Sequence, residues 1–232
     1  MRLDKYISNQ TTLSRSEAVK VIRAGKVSVD GTVFRDPKSQ VNENSCQIQL
    51  NGESVSFKKN IYIMLHKPVG FISSTEDKYL KTVLDLLPDE ITCRKPFPCG
   101  RLDIDTTGLV LLTDDGVWSH KITSPKKKCF KTYLVNTLKS LSEEDMKKLE
   151  EGVYLDGDDK ITQPAMIREI DKCRYELKIS EGRFHQVKRM MEAVGNKVVK
   201  LHRQAIGDII LDADLKEGDF RELSEDEVNQ FL

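Results

Sequence analysis

Residues 99–116 read CGRLDIDTTGLVLLTDDG, and two kinds of fold compete for them. Asp103, Asp105 and Thr107 occupy alternate positions, Gly108 follows, and Asp114 stands where the closing acid of a calcium loop belongs. Such a loop needs a helix on either side. Upstream, CRKPFPCG carries Pro96, Pro98 and Gly100 and cannot build the entering helix. Downstream, GLVLLT is a short apolar run of strand character, and the closing acid is Asp rather than a bidentate Glu. The stretch therefore reads as a loop entering a buried strand. Asp105, Thr106 and Thr107 read as a turn in which Asp105 bonds nearby amides. Arg101 precedes Asp103 by two residues on an extended segment, so guanidinium and carboxylate are expected on one face, a setting that suits an anionic nucleophile.

On the N-terminal side, LDKYIS puts Leu3, Tyr6 and Ile7 on one helical face. SRSEAVKVIRAGKV opens with a capping box, Ser14 and Glu17, and stops at Gly25. KVSVDGTVF alternates and turns at Asp30-Gly31, and a second hairpin signal, Asn51-Gly52, lies inside QIQLNGESVSF. IYIMLHKPVG then reads as a buried strand running into a loop. This places a boundary near Lys59, with a helix-helix-hairpin module at 1–59 and a larger domain at 60–232. Beyond the opening stretch, KTYLVNT and RYELKIS read as strands, SEEDMKKLEEG as a capped helix, and RFHQVKRMMEAVG as a helix ended by Gly195. Regular βαβ repetition and a G-x-G-x-x-G fingerprint are both missing from the sequence, so the expected class is α+β with a mixed, mainly antiparallel sheet.

Hydrophobic residues make up 38% of the 232, enough for a packed core, and no apolar run approaches the ~18 residues of a membrane span. The opening MRLDKYISNQ is charged and has no secretory apolar region. Cys46, Cys93, Cys99, Cys129 and Cys173 form no C-x-x-C pair, and His66, His120, His185 and His202 are scattered; reduced thiols of a cytoplasmic protein and no metal are expected. Formal net charge is +0, yet its distribution is uneven. Residues 1–40 carry eight Lys/Arg against four Asp/Glu, KITSPKKKCFK (121–131) carries five lysines and no acid, and 178–203 carries seven basic residues against two acidic. The balancing acids sit in 142–160 and beyond 204. A neutral chain can still present basic faces, and polyanions respond to the local field.

GRLDIDTTGLVLLTDDG resembles the catalytic motif of the pseudouridine synthases, in which the Asp of R-L-D attacks the target nucleoside; here that is Asp103. KTYLV resembles the second motif of that family, with its tyrosine at Tyr133, and EGRFHQVKRM resembles the third. Residues 1–40 resemble the small S4-like RNA-binding module through R-L-D-K, S-R-x-x-A and G-x-V-x-V-x-G. The ending LHRQAIGDIILDADLKEGDFREL is similar to the branch that acts on small-subunit ribosomal RNA.

The resemblance implies an isomerase without cofactor. Pseudouridine formation breaks the glycosidic bond, turns the uracil and rejoins the ribose to carbon five, so no atom is gained or lost. Extracting the uridine from its stack costs a few kcal/mol. By the same resemblance Tyr133 stacks on the flipped base, Arg101 fills the vacated space or holds the flipped backbone, and Lys188 pairs with Asp103. Arg189 is the alternative partner or an RNA contact, since neighbouring helical residues point about a quarter-turn apart. His185 is read as structural rather than as a general base. Arg2, Lys5, Arg15, Lys20, Arg23 and Lys26 are candidate phosphate contacts. The expected partner is ribosomal RNA within a partly assembled small subunit, met by a monomer. The alternatives are large-subunit RNA as substrate, or a noncatalytic assembly factor of the same fold.

Overall fold

Turn chemistry and capping account for most of the first unit in the computed structural model, which describes residues 1–124 and 127–232. Helix α1 (Leu3–Gln10) is followed by α2 (Arg15–Arg23), whose first turn is closed by a reciprocal cap: the Glu17 amide donates to the Ser14 hydroxyl and the Ser14 amide to the Glu17 carboxylate. Gly25, at φ +74°, ends it. Four short antiparallel strands follow in the spatial order β2 (Thr32–Phe34), β1 (Val27–Val29), β3 (Ile48–Leu50), β4 (Glu53–Ser54). Both hairpin turns have positive φ at both central residues, Asp30-Gly31 and Asn51-Gly52, as a type I′ turn requires. Leu3, Tyr6, Ile7, Ile22, Val27 and Ile48 fill the space between helices and sheet. The compact unit comprises Met1–Ile61 together with Leu87–Pro96, which holds the single-turn helix α3 (Asp89–Thr92). Arg94 fastens that returning segment by donating to the carbonyls of Lys58 at 2.7 Å and Lys59 at 2.9 Å. A division at one point, 1–59 then 60–232, does not contain such a return.

The second unit, Tyr62–Leu86 with Phe97–Leu232, is built on a nine-stranded sheet. Its strands are β5 (Tyr62–Lys67), β6 (Phe97–Pro98), β7 (Thr107–Thr113), β8 (Lys131–Thr137), β9 (Met166–Asp171), β10 (Arg174–Ile179), β11 (Val198–Ile206), β12 (Ile209–Ile210) and β13 (Phe220–Glu222). The main path runs β13-β5-β7-β11-β8-β10-β9, with β6 beside β7 and β12 beside β11. Among the strands of the described residues β7 and β11 pair in parallel and the other pairs are antiparallel, so the mixed, mainly antiparallel α+β expectation holds. Helices α4 (Gly116–Thr123), α5 (Glu143–Glu151), α6 (Gln186–Ala193) and α7 (Glu225–Asn229) complete the unit.

Strand β7 explains why GLVLLT is apolar without interruption: all seven of its residues are buried. Trp118 of α4 lies beneath it with no exposed surface, donating its indole Nε1–H to the Val228 carbonyl at 3.0 Å. Gly108, at φ +110°, sits where β7 meets β11 so closely that a Cβ would collide with the Arg203 backbone. The loop entering β7 is thus flanked by β6 and β7, two strands.

Candidate active site

Asp103 lies in the loop between β6 and β7, and three devices hold that loop. Ser73 clamps it from the side, its hydroxyl accepting the Leu102 amide at 3.0 Å and donating to the Leu102 carbonyl at 3.2 Å. The Gly70 amide donates to Ile104 at 2.8 Å. Beneath, the end of β5 supplies Lys67, wholly buried, whose ammonium donates to the carbonyls of Thr106 (2.7 Å), Pro68 (3.0 Å) and Ile104 (3.4 Å). Burial pushes the Lys67 pKa down to about 8; the negative charges of Asp105 and Asp103 oppose that fall, and Arg203 adds to it.

Helix α6 brings the counter-charge. Lys188 Nζ is 3.1 Å from Asp103 Oδ2 and 2.6 Å from Asp105 Oδ1, so one ammonium bridges two carboxylates. Burial works against the Lys188 charge, but its hydrogen bonds to Asp105 and Asp103 outweigh it and hold the ammonium above the ordinary lysine range. The same hydrogen bond is the main cause holding the Asp105 carboxyl below the usual range. His185, just before α6, adopts a left-handed φ of +50°, the sparsely populated conformation that clusters at functional sites. Its ring stacks on the exposed Phe184 at 3.8 Å, and its Nε2 lies 3.6 Å from Asp103 Oδ1, too long for a hydrogen bond.

The start of α6 is itself anchored. Gln186 accepts the Arg183 amide and donates to Glu181, while Arg183 reaches Asp158 at 3.0 Å and the carbonyls of Lys160 and Ile161. Arg189 joins this network through Asp158 at 2.7 Å, the Asp156 carbonyl and the Phe184 carbonyl. Its bonds go to these groups rather than to Asp103. One step along the helix separates the residue that serves the carboxylates from one that serves the scaffold.

Tyr133 sits on β8, 8% exposed, opposite Arg203 of β11. The Arg203 guanidinium, itself 3% exposed, donates to the Leu109 carbonyl at 2.8 Å, the Arg101 carbonyl at 3.3 Å and the Tyr133 hydroxyl at 3.5 Å. It thereby ties the tyrosine to the strand and loop that carry Asp103. The arrangement offers a half-buried carboxylate held by one cation, in a loop fixed by a second cation and linked through Arg203 to a buried tyrosine.

The profile of the RNA pseudouridylate synthase family matches residues 61–193, and that of the S4 domain matches residues 1–45. The chain belongs to the RNA pseudouridylate synthase family. It is 45% identical over 98% of its length to the ribosomal small subunit pseudouridine synthase A of Yersinia pestis, covering 97% of that protein. The protein of the same name from Escherichia coli K12 is also 45% identical, with 98% of each chain covered. A crystal structure of a pseudouridylate synthase at 42% identity superposes over all of both chains with a TM-score of 0.72. This pseudouridine synthase is an isomerase with an S4 RNA-binding domain at its N-terminus.

Against the sequence expectations, three placements in this synthase differ. Arg101 has an exposed side chain and forms no ion pair with Asp103; its carbonyl, in the loop between β6 and β7, accepts from Arg203 instead. Asp105 takes the shortest bond to Lys188 rather than serving only as a turn residue. Arg189 is spent on Asp158 and Asp156. Lys67 and Arg203 were not singled out as site residues, since a lone lysine in HKPVG and a lone arginine in LHRQAIG carry no local sign of burial. In the S4 unit, Lys5, Arg15, Lys20, Arg23 and Lys26 are exposed, and Arg2 and the exposed Arg15 share the buried carboxylate of Asp4 at 2.6 and 3.3 Å. No helix of the described residues is long and apolar enough to cross a membrane.

Proposed function

We propose that this synthase converts a uridine of small-subunit ribosomal RNA to pseudouridine in the cytoplasm, acting as a monomer on a partly assembled subunit, with Asp103 as the covalent nucleophile. The observation that carries the nucleophile is the Lys188 ammonium 3.1 Å from Asp103 Oδ2. Enclosure under a flipped base strips water from a carboxylate and disfavours its anion; an adjacent cation in the same enclosed space opposes that. Sharing Lys188 with Asp105 fixes the ammonium from two sides, so the carboxylate is oriented as well as charged. The names of the relatives from Yersinia pestis and Escherichia coli favour a small-subunit target.

In this reading the uridine leaves its stack and its base lies against Tyr133, which Arg203 holds in place. Asp103 forms a covalent bond to the nucleoside, the bond from base nitrogen to ribose breaks, the uracil turns, the bond from carbon five to ribose forms, and the bond to Asp103 breaks to return the free carboxylate. The hydrogen displaced from carbon five leaves as a proton, which makes the turnover countable with uridine tritiated there. Arg101, exposed beside the loop, fills the space the uridine vacates. The S4 unit grips phosphates with Lys5, Lys20, Arg23 and Lys26 and so contributes position and salt-dependent affinity.

Asp103→Asn keeps the shape and removes the nucleophile. Tritium release from small-subunit ribosomal RNA is expected to fall at least about a thousandfold, while RNA affinity stays within a few fold. Turnover near that of the unsubstituted enzyme would end the assignment of Asp103.

A further inference from the structure

Lys121, Lys127 and Lys128 of the basic run have no part in the site described above, and they line a cavity of their own. A cavity of about 610 Å³ is bounded by Lys121, Lys127, Lys128 and Lys178, with Phe130 and Met166 at its edge. That volume falls within the range of about 300–1,000 Å³ usual for ligand sites. Lys126 of the run lies outside the described residues. Among the described residues, no carboxylate stands within ion-pair distance of Lys121, Lys127 or Lys128, and Lys178 meets Glu176 only at 3.7 Å. Asp208 is the one acidic side chain in the lining. The Cys129 thiol lies at the buried floor, where burial pushes its pKa up, so it adds no negative charge. Four cations thus surround a partly apolar hollow, three of them outside any ion pair among the described residues.

Local geometry builds this hollow. The Gly207 amide donates to the Phe130 carbonyl at 2.7 Å, and Gly207, at φ +58°, lies so near the Phe231 ring that a Cβ would meet it at 2.8 Å. Lys178 pairs in register with Thr132, so its ammonium rises beside the run from the neighbouring strand. Thr132 and Tyr133 are successive residues of β8 and face opposite sides of the sheet. The cavity therefore opens on the face away from Tyr133.

We propose that this cavity is a second RNA-binding site, taking a single-stranded segment of the substrate RNA with phosphates on the four lysines and a base against Phe130. The inference rests on the RNA-modifying role of the enzyme and extends it to a new surface. Lysine without arginine suits phosphates met as point charges, whereas carboxylates of an acidic peptide favour the arginine fork. An exposed aromatic edge beside lysines is the pairing that single strands use, bases stacking while the backbone follows the charge. Phe130 is 37% exposed and Met166 57%, an apolar rim that a peptide of carboxylates would leave uncovered.

Two variants of the full chain test this with a short oligouridylate, a duplex RNA of equal length and polyglutamate as probes. Lys127→Gln/Lys128→Gln is expected to flatten the log–log salt dependence of oligouridylate binding by about 1.4, since each single-strand phosphate contact contributes about 0.7. Phe130→Ala is expected to weaken oligouridylate binding roughly tenfold with the salt slope unchanged, because stacking releases no counterion. Duplex RNA should not register the loss of Phe130. On ribosomal RNA the double variant should raise KM and spare the rate at saturation. The proposal is overturned if the salt slope is unchanged in the double variant, if Phe130→Ala binds oligouridylate as tightly as the parent, or if polyglutamate competes better than oligouridylate. Failure of tritium release by the parent enzyme would instead overturn the proposed reaction, with the binding results still deciding this site.

Discussion

Lys20, Arg23 and Lys26 of the S4 unit project from α2 and the turn after it into solvent, whereas Lys67 and Arg203 of the catalytic unit are enclosed, Lys188 is half-buried, and each is bonded to a carboxylate or carbonyl. The same kinds of side chain, at similar frequency along the chain, are put to different physical uses. An exposed cation interacts through water and salt, contributes little to folding, and is available to a phosphate. An enclosed one has lost its water, so its protonation depends on its surroundings and its partners are chosen by geometry. Exposed cations should therefore respond to salt, and enclosed ones to pH and to the shape of the substituted side chain.

Of the cation substitutions, Lys188→Met should give the largest departure, a fall of roughly a hundredfold in the rate of tritium release, equivalent to about 2.7 kcal/mol of transition-state stabilisation. The Asp105 carboxyl, held down chiefly by the Lys188 hydrogen bond, should titrate at higher pH in the variant, which a carboxylate-resolved NMR titration would detect. Lys188→Arg should recover much of the rate if charge alone matters. Full activity of Lys188→Met with loss of activity in Arg189→Met would reverse the assignment and erase the distinction between the neighbouring residues.

Lys67 sharpens the contrast through pH. Its folded-state pKa of about 8 lies below the ~10.4 of an unfolded lysine, so charging it in the folded protein costs stability at all pH values below about 8. That cost is relieved as pH rises from about 8 towards ~10.4. Urea unfolding of the parent and of Lys67→Met, compared from neutral to alkaline pH, should show the parent gaining up to roughly 3 kcal/mol relative to the variant. Activity of the parent should move the other way, falling above pH 8 as the neutral amine loosens the Thr106 and Ile104 carbonyls. A difference in stability that stays flat with pH would show that Lys67 does not titrate there.

The smallest change in rate, and the largest in salt response, is expected from Lys20→Gln/Arg23→Gln/Lys26→Gln. Each lost phosphate contact should flatten the salt dependence of RNA binding by roughly 0.7–0.9, with the loss confined to KM. If salt dependence were unchanged and the melting temperature fell instead, these residues would be structural and the comparison would collapse.

Much of the architecture was legible because it depends on neighbours in sequence. The Ser14–Glu17 cap, the Asp30-Gly31 and Asn51-Gly52 turns and the apolar run of β7 each involve residues close together in the chain, where dihedral preference and periodicity decide the outcome. Helix α4 and the long strand β11 went unread, since GVWSHKIT shows little helical periodicity and VVKLHRQAI mixes charged and apolar residues. Their conformations are supported by packing, as Trp118 beneath β7 illustrates.

The sequence by itself determined the local elements of the S4 unit, the strand character of the run after Asp103, and, by likeness of motif, Asp103, Tyr133 and Lys188 as candidate site residues. Only the tertiary structure decided that Lys188 and not Arg189 reaches the carboxylate, that Asp105 shares its ammonium, and that Lys67 and Arg203 brace the loop from within. Residues 87–96 were likewise assigned to the first unit only by the contacts of the folded chain. The reason is distance along the chain: 83 residues separate Asp105 from Lys188 and 102 separate Arg101 from Arg203. No local preference couples groups that far apart. Whether a cation is exposed to water or enclosed beside a carboxylate is settled by which strands the sheet places side by side, and its charge, reach and partner follow from that enclosure.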